Sequence, residues 1–537
     1  VEPSSLRPVV DVARDLHLDP GSVTPFGLYK AKIDPTLDGP RSGPSGKLVL
    51  VSAIMPTPPG EGKTTVSVGL ADGLRRLGAA GAVCLREPSL GPLFGAKGGG
   101  TGGGRARVEP SNDINLHFTG DLHAITSAHN LLAAMIDSDL HFGQAGGLDP
   151  DRVTWPRVLD VDDRALRSVL VAAGRRAERK TRFDISAASE VMAVMSLAES
   201  LPDLRARLAR MVVGWTEAGT PVTVEALGAT DAMLVVLREA LHPNLVQTGE
   251  GTPAFVHTGP FGNIAHGCSS VVGTRLGLRH TDIVVTEAGF GFDLGGEKFL
   301  HLKARQAGLW PHLVVMVATV RALASHGNGD LGRGLRHLDR QLASVRAFGL
   351  PAVVAINVFD GDTEEDLALL ERHADGLGVR CARITAFADG GGGAEALASV
   401  VLEALDGTGD EPPEPRFLYP DDAPFQAKVG AVARTVYGAE DVVLTDDACR
   451  DLDTLAGAGL DRLPVCIAKT HLSFSDDPKA GGLVEGMTLT VSEIRPAVGA
   501  GYLVALMGRI MTMPGLPRDP AARHMRVDDS GSVTGLR

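Results

Sequence analysis

Short, almost continuously apolar runs punctuate this chain: KLVLVSAI (47–54), AAGAVCL (79–85), DIVVTEA (282–288), LVVMVATV (313–320) and PAVVAINV (351–358). Runs this short and this apolar suit parallel strands covered on both faces. Stretches with helical spacing follow several of them, such as TTVSVGLADGLRRLG (64–78) and LRHLDRQLASVRAFG (335–349), both closing on glycine, a common helix terminator. The alternation predicts an α/β fold with a parallel sheet. From about 120 to 245 the pattern predicts mostly helix, in ALRSVLVAAGRRAER, SEVMAVMSLAES and DLRARLARMVVGW, and so an insertion or second domain. The acidic, proline-rich stretch DGTGDEPPEPRFLYPDDAP (406–424) predicts a long surface loop within a C-terminal domain.

The polar and glycine-rich motifs begin where the predicted strands end. MPTPPGEGKTT follows 47–54, REPSLGP follows 79–85, GFGFDLGGEK follows 282–288 and FDGDT follows 351–358. In open α/β sheets ligands bind outside the carboxyl ends of the strands. Four motifs at four strand ends point to one crevice.

TPPGEGKTT lies between a strand and a helix, the setting a phosphate-binding loop requires. Its main-chain N–H groups and the helix N-terminus would cradle phosphates, using Thr57, Pro58, Pro59, Gly60, Glu61, Gly62, Lys63, Thr64 and Thr65. Lys63 would reach the terminal phosphates of ATP, and the Thr64 hydroxyl would ligate Mg²⁺. Thr57 stands where the usual pattern has its first glycine. Arg86 and Glu87 sit at the next strand end, where a planar guanidinium clamps a phosphate or carboxylate as readily as it pairs with a neighbouring glutamate. Seven of the eight residues from 98 to 105 are Gly or Thr, and Lys97 and Arg105 flank them, which favours an anion-binding loop. Phe359 and Phe387 follow successive strand ends and are placed either to sandwich a flat heterocycle or to fill the core. His266, in GPFGNIAHGCSS, is expected to pack or cap. His117, His123 and His129 recur every six residues and share no helix face, which argues against a zinc site.

Composition narrows the classes. A net charge of −13 over 537 residues opposes a nucleic-acid partner, which needs a basic face. The apolar runs are too short to span a bilayer, so no membrane partner is expected. The stretch VEPSSLRPVVDVARDL lacks the basic-then-apolar plan of a signal peptide, and five scattered cysteines form no metal spacing. A reducing, cytoplasmic setting is expected.

Together these motifs resemble the formate–tetrahydrofolate ligase family. The likeness extends through CLREPSLGPLFGAKGG, DINLHFTGDLHAI, NLLAAMIDSDL, RFDISAASEVMAV, GPFGNIAHGCSS, TEAGFGFDLGGEKF, MVATVRAL, CIAKTHLSFSDDP and IMTMPGLPRDPAA, nearly the whole chain. The resemblance implies a P-loop or Rossmann-like parallel-sheet nucleotide domain with two further α/β domains, in a homotetramer or homodimer. The expected segments are 1–120 with 280–340 for the nucleotide domain, 121–279 for a mostly helical second domain, and 341–537 for a C-terminal α/β domain carrying the pterin site. It implies that formate attacks the γ-phosphate of ATP to give formyl phosphate, which the N10 amine of tetrahydrofolate then takes up. In that scheme Lys63, Arg86, Glu87 and Arg105 are catalytic. The phosphate loop binds ATP and Mg²⁺ together with Lys97, Gly289, Phe290 and Gly291, and a monovalent cation is a further candidate. Phe359, Phe387 and Phe292 border the substrate.

The chain also departs from the family's pattern. It has Arg105 in GGGRARV where a tyrosine is usual, and Phe292 where a small residue is usual. Phe387 replaces a tryptophan and Asp389 a basic residue, in FADGG. These changes motivate one rival, the same acyl-phosphate chemistry on another acid or amine. A second rival is a non-catalytic nucleotide-binding regulator, since fold alone does not decide function.

Overall fold

The computed structural model describes residues 6–39, 45–57, 60–95, 98–144, 146–172, 177–481, 483–508 and 510–536. Pro58, Pro59 and Lys97, all expected at the site, lie outside them.

The centre of the molecule is a twelve-stranded sheet. Ten of its strands are β1 (Val23–Pro25), β2 (Ala31–Ile33), β3 (Lys47–Ala53), β4 (Gly81–Leu85), β5 (Asn244–Thr248), β6 (Pro253–Val256), β7 (Ile283–Glu287), β8 (Leu313–Ala318), β9 (Ala352–Asn357) and β10 (Cys381–Ile384). Their spatial order is β1-β2-β5-β6-β4-β7-β3-β8-β9-β10, and the seven from β6 to β10 run parallel. All five predicted runs are therefore parallel strands. The sheet takes strands from each of the three segments expected as domains. A hairpin of Gly102–Gly103 and Ala106–Glu109 hangs from β5.

Burial on both faces explains the unbroken apolar runs. In β3, Leu48 and Leu50 enter one core, with Phe348, Leu338 and Leu342. Val49, Val51 and Ala53 enter another, with Val66 and Leu70 of the helix Lys63–Arg76. From β3 the chain first builds to one side through β4 and later to the other through β8, β9 and β10. The order thus reverses at β3 and β7, and such a reversal opens a crevice at the carboxyl ends.

A third core gathers the long helix Asp121–Phe142, the helices Glu190–Leu197, Leu201–Ala209 and Thr230–Leu237, and several short strands. The described residues of the expected helix over 165–179, namely 165–172 and 177–179, are not α-helical. Arg164–Arg167 is a single 3₁₀ turn, and Val169–Val171 pairs antiparallel with Arg179–Thr181. β-Branched Val169 and Val171 favour the strand. Buried Arg179 joins it to the long helix through Asp137, 2.6 Å away. A four-stranded sheet closes the C-terminal part, in the order Asp441–Leu444, Thr488–Ala497, Tyr502–Met507, Val465–Ala468. Among the described residues no helix is long and apolar enough to cross a membrane.

Candidate functional site

The turn between β3 and the helix Lys63–Arg76 is built around Glu61, whose side chain is almost fully buried. Its Oε1 accepts from the main-chain N and the Oγ1 of Thr57, each at 2.8 Å. Its Oε2 accepts from Thr319 Oγ1 at 2.5 Å, just past the end of β8. Its main-chain carbonyl accepts from Asn357 Nδ2 at 3.0 Å, at the end of β9. Glu61 is thus an internal brace of the loop, with both carboxylate oxygens engaged by Thr57 and Thr319. Gly62 caps the helix at φ +75°, and a Cβ there would lie 2.5 Å from Asn357 Nδ2. Conformation and space both demand glycine.

Lys63 opens the helix from a half-buried position. Burial holds its pKa below the ordinary lysine value, opposed by the charges of Glu287, Glu61 and Asp293, while Arg86 pushes it further down. The Thr64 hydroxyl donates to Glu287 Oε2 at 2.8 Å. Glu287, the last residue of β7, was not among the expected site residues, although a strand ending in an acid beside a phosphate loop is a readable signal. The paired hydroxyl and carboxylate suit a hydrated divalent cation carried with a nucleotide.

Arg86 leaves β4 and donates from Nη1 to the carbonyl of Pro260 at 3.3 Å. Its buried Nε has no partner among the described residues. A Cβ on Gly289 would lie 3.3 Å from both Nη atoms, so this glycine lets the main chain run along the guanidinium. Glu87 is buried and its Oε2 also lacks a partner among the described residues. Burial pushes its pKa well above the usual carboxylate range; Asp121 and Asp160 add to the rise and Lys32 opposes it. Lys32 is itself paired with Asp121 at 2.7 Å.

The GFGFDLGGEK segment divides between site and core. Phe290 takes φ +60° and stacks on His471 with ring centroids 4.6 Å apart. Phe292, expected beside the substrate, is fully buried and packs edge-on against Phe348. Its ring belongs to the core, because extended Gly291 turns the next residue inward at the start of a wide π-helical turn. Asp293 exchanges two hydrogen bonds with the Gln341 amide, at 3.1 and 3.0 Å, and its buried Oδ2 has no partner among the described residues. Asp293 and Glu287 were missed because the motif was read for its glycines.

Phe359 and Phe387 follow adjacent parallel strands, as expected. Phe359 is half-buried with the Arg321 guanidinium 3.5 Å from its ring centroid. Phe387 is 61% exposed. Its carbonyl accepts from Arg105 N at 2.9 Å, and its ring lies against Gly103, near Thr65. Arg105 is exposed at the tip of the 102–109 hairpin, and exposed Asp389 accepts from Thr385 Oγ1 at 2.7 Å. His266 is buried with Nε2 2.8 Å from Ser196 Oγ, and its ring belongs to the packing around Cys268. His129 stacks on Trp155 at 4.3 Å, apart from the crevice.

The crevice therefore has a charged end, where Lys63 and Thr64 meet Glu287 and Arg86, and an aromatic end, with Phe359 and Phe387; the Glu87 carboxyl, next in the chain to Arg86, faces Asp121, Asp160 and Lys32. The formate–tetrahydrofolate ligase family model matches residues 2–537. The formate–tetrahydrofolate ligase of Myxococcus xanthus (strain DK1622) is 55% identical over 546 residues, covering 99% of each chain. That of Symbiobacterium thermophilum is 51% identical over 99% of this chain and 98% of its own, and that of Paracoccus denitrificans 51% over 98% and 97%. The chain belongs to the formate–tetrahydrofolate ligase family.

Proposed function

We propose that this protein joins formate to N10 of tetrahydrofolate at the expense of ATP, through formyl phosphate. The observation that carries the reading is what gathers at neighbouring strand ends: Lys63 within reach of the charges of Arg86 and Glu287, a buried Arg86 Nε with no partner among the described residues, and two phenylalanines after the adjacent strands β9 and β10. Positioning and charge neutralisation are most of what phosphoryl transfer asks of a protein. The main chain from Gly60 to Thr65 would hold the phosphates, with Lys63 on the terminal ones. Thr64 and Glu287 would orient the water shell of Mg²⁺, which supplies charge neutralisation when bound. The fork of Arg86 would receive formate and then the acyl phosphate. Burial raises the Glu87 pKa, so its ionised carboxylate is a stronger base than an ordinary one and would take the proton that the amine gives up on attack. Phe359 and Phe387 would hold the pterin. Gly289 would let the main chain lie along Arg86, while Phe290 stacks on His471.

A monovalent cation, a homotetramer or homodimer, and a cytoplasmic location belong to the same proposal. The changed positions give little support to a different acceptor, because Phe292 is in the core and Asp389 is bonded to Thr385.

The test is ADP release with formate, with and without tetrahydrofolate, alongside absorbance of the formylated folate. ADP release that needs both substrates and matches folate formylation is expected. Turnover indifferent to tetrahydrofolate, or none with formate, overturns the proposal.

A further inference from the structure

Arg321 reaches from the aromatic end of the crevice to the phosphate loop. Arg321 lies in the helix Val320–His326, directly after β8. Its Nη2 donates to the carbonyl of Gly60 in the phosphate loop. The same guanidinium lies over Phe359, 3.5 Å from the ring centroid. Its buried Nε has no partner among the described residues, and the loop carbonyl and the ring are two contacts that hold the guanidinium there. A second tie runs parallel to the first, from Asn357 Nδ2, two residues before Phe359, to the carbonyl of Glu61. Phe359 itself is set by its N–H, which donates to Asp362 Oδ2 at 2.8 Å.

A ring with a guanidinium on one face has one face left for a flat ligand. The orientation of that face follows the guanidinium, and the guanidinium follows the Gly60 peptide. Gly60 sits at φ +78° with its N–H bonded to the carbonyl of Thr57 at 2.9 Å, so its peptide is part of the turn that phosphates would order. We propose that Arg321 is a positioning residue that couples the two halves of the site. Nucleotide in the loop fixes the Gly60 carbonyl and, through Arg321, the Phe359 ring; a pterin on Phe359 tightens the loop in return. Such coupling is reciprocal by thermodynamic necessity. The inference rests on the proposed folate site and adds its dependence on the nucleotide site.

The experiment is a calorimetric titration of tetrahydrofolate into the full chain, with and without Mg²⁺ and a non-hydrolysable ATP analogue. The wild type is expected to bind tetrahydrofolate about fivefold or more tightly when the analogue is present, the lower range of measured couplings. In Arg321→Met, which keeps apolar cover on the ring but no donors, the ratio is expected to fall to about 1 while nucleotide alone still binds. Arg321→Lys, which cannot lie flat on the ring and reach the carbonyl together, is expected to lose the ratio too, and it serves if the methionine variant does not fold. Reverse titration of the analogue, with and without tetrahydrofolate, must return the same ratio. A ratio of 1 in the wild type, or a full ratio in a variant that binds both ligands, overturns the coupling. A wild type that binds no tetrahydrofolate under either condition overturns the proposed function instead.

Discussion

The two ends of the crevice are built to different standards. At the phosphate loop, one buried carboxylate gathers Thr57 and Thr319, its main chain is tied to Asn357, and Gly62 admits no side chain. At the aromatic end, Phe387 stands 61% exposed and Arg105 and Asp389 face solvent. The difference follows from the tasks. Holding a polyphosphate requires fixed charges and dipoles in a partly dehydrated space, where small displacements are costly. Stacking a heterocycle requires only a flat apolar face, which several side chains supply. Of the four positions that depart from the expected family pattern, Arg105, Phe387 and Asp389 lie at this tolerant end, while Phe292 lies in the core.

The largest effect is expected from removing charge at the loop end. Lys63→Met and Arg86→Met should each lower formate-dependent ADP release by on the order of 10³-fold, the scale of a lost preorganised charge donor. Thermal melting should change little, since neither side chain anchors a core. A loss of less than tenfold in either variant would show the charged end to be no more exacting than the aromatic one. Next in size is Glu61→Ala. It leaves the half-buried donors of Thr57 and the buried hydroxyl of Thr319 without their partner, and the protein should lose about 2–3 kcal/mol of stability together with a raised KM for ATP. Unchanged melting would contradict the bracing role.

This contrast also explains what the sequence made legible. The five apolar runs became the parallel strands because β3, β7 and their neighbours are buried on both faces, a pattern that needs no tertiary knowledge. The crevice was legible because motifs marked the strand ends. Functions carried by single residues at a distance were not. Arg321 lay unremarked within MVATVRAL, and only the packing of β8 beside β3 and β9 brings it over Phe359. Phe292 was expected at the substrate, yet the inward turn after Gly291 places it against Phe348. The 165–179 stretch looked helical, but its Arg179 is claimed by Asp137 on another element.

A smaller effect is expected at the aromatic end. Phe387→Leu should raise the KM for tetrahydrofolate about three- to tenfold, in line with the loss of one aromatic stacking contact. The KM for ATP should not change. Phe387→Trp should lower the folate KM by about twofold through its larger face. Steady-state kinetics with each substrate varied separately would show the split, and a parallel rise in both KM values would mean that the ring supports the loop, not the acceptor.

The smallest effect sharpens the comparison at a single proton. Burial holds the Lys63 pKa below 10.5, and Glu287 is the largest charge opposing that fall. The ammonium is the form that binds phosphate, so kcat/KM for ATP, which reports the free enzyme, should decline on an alkaline limb below pH 10.5. Neutralising Glu287 removes an attraction that favours the ammonium, which lowers the lysine pKa and moves the limb to lower pH. Glu287→Gln keeps an oxygen for the Thr64 hydroxyl to donate to, so the shift reads charge and not lost geometry. The limb for tetrahydrofolate measured at saturating ATP should stay where it is, because bound phosphates themselves hold the proton on Lys63. Equal displacement of both limbs would mean that Glu287 acts on the whole crevice, and that the charged and aromatic ends are electrostatically one.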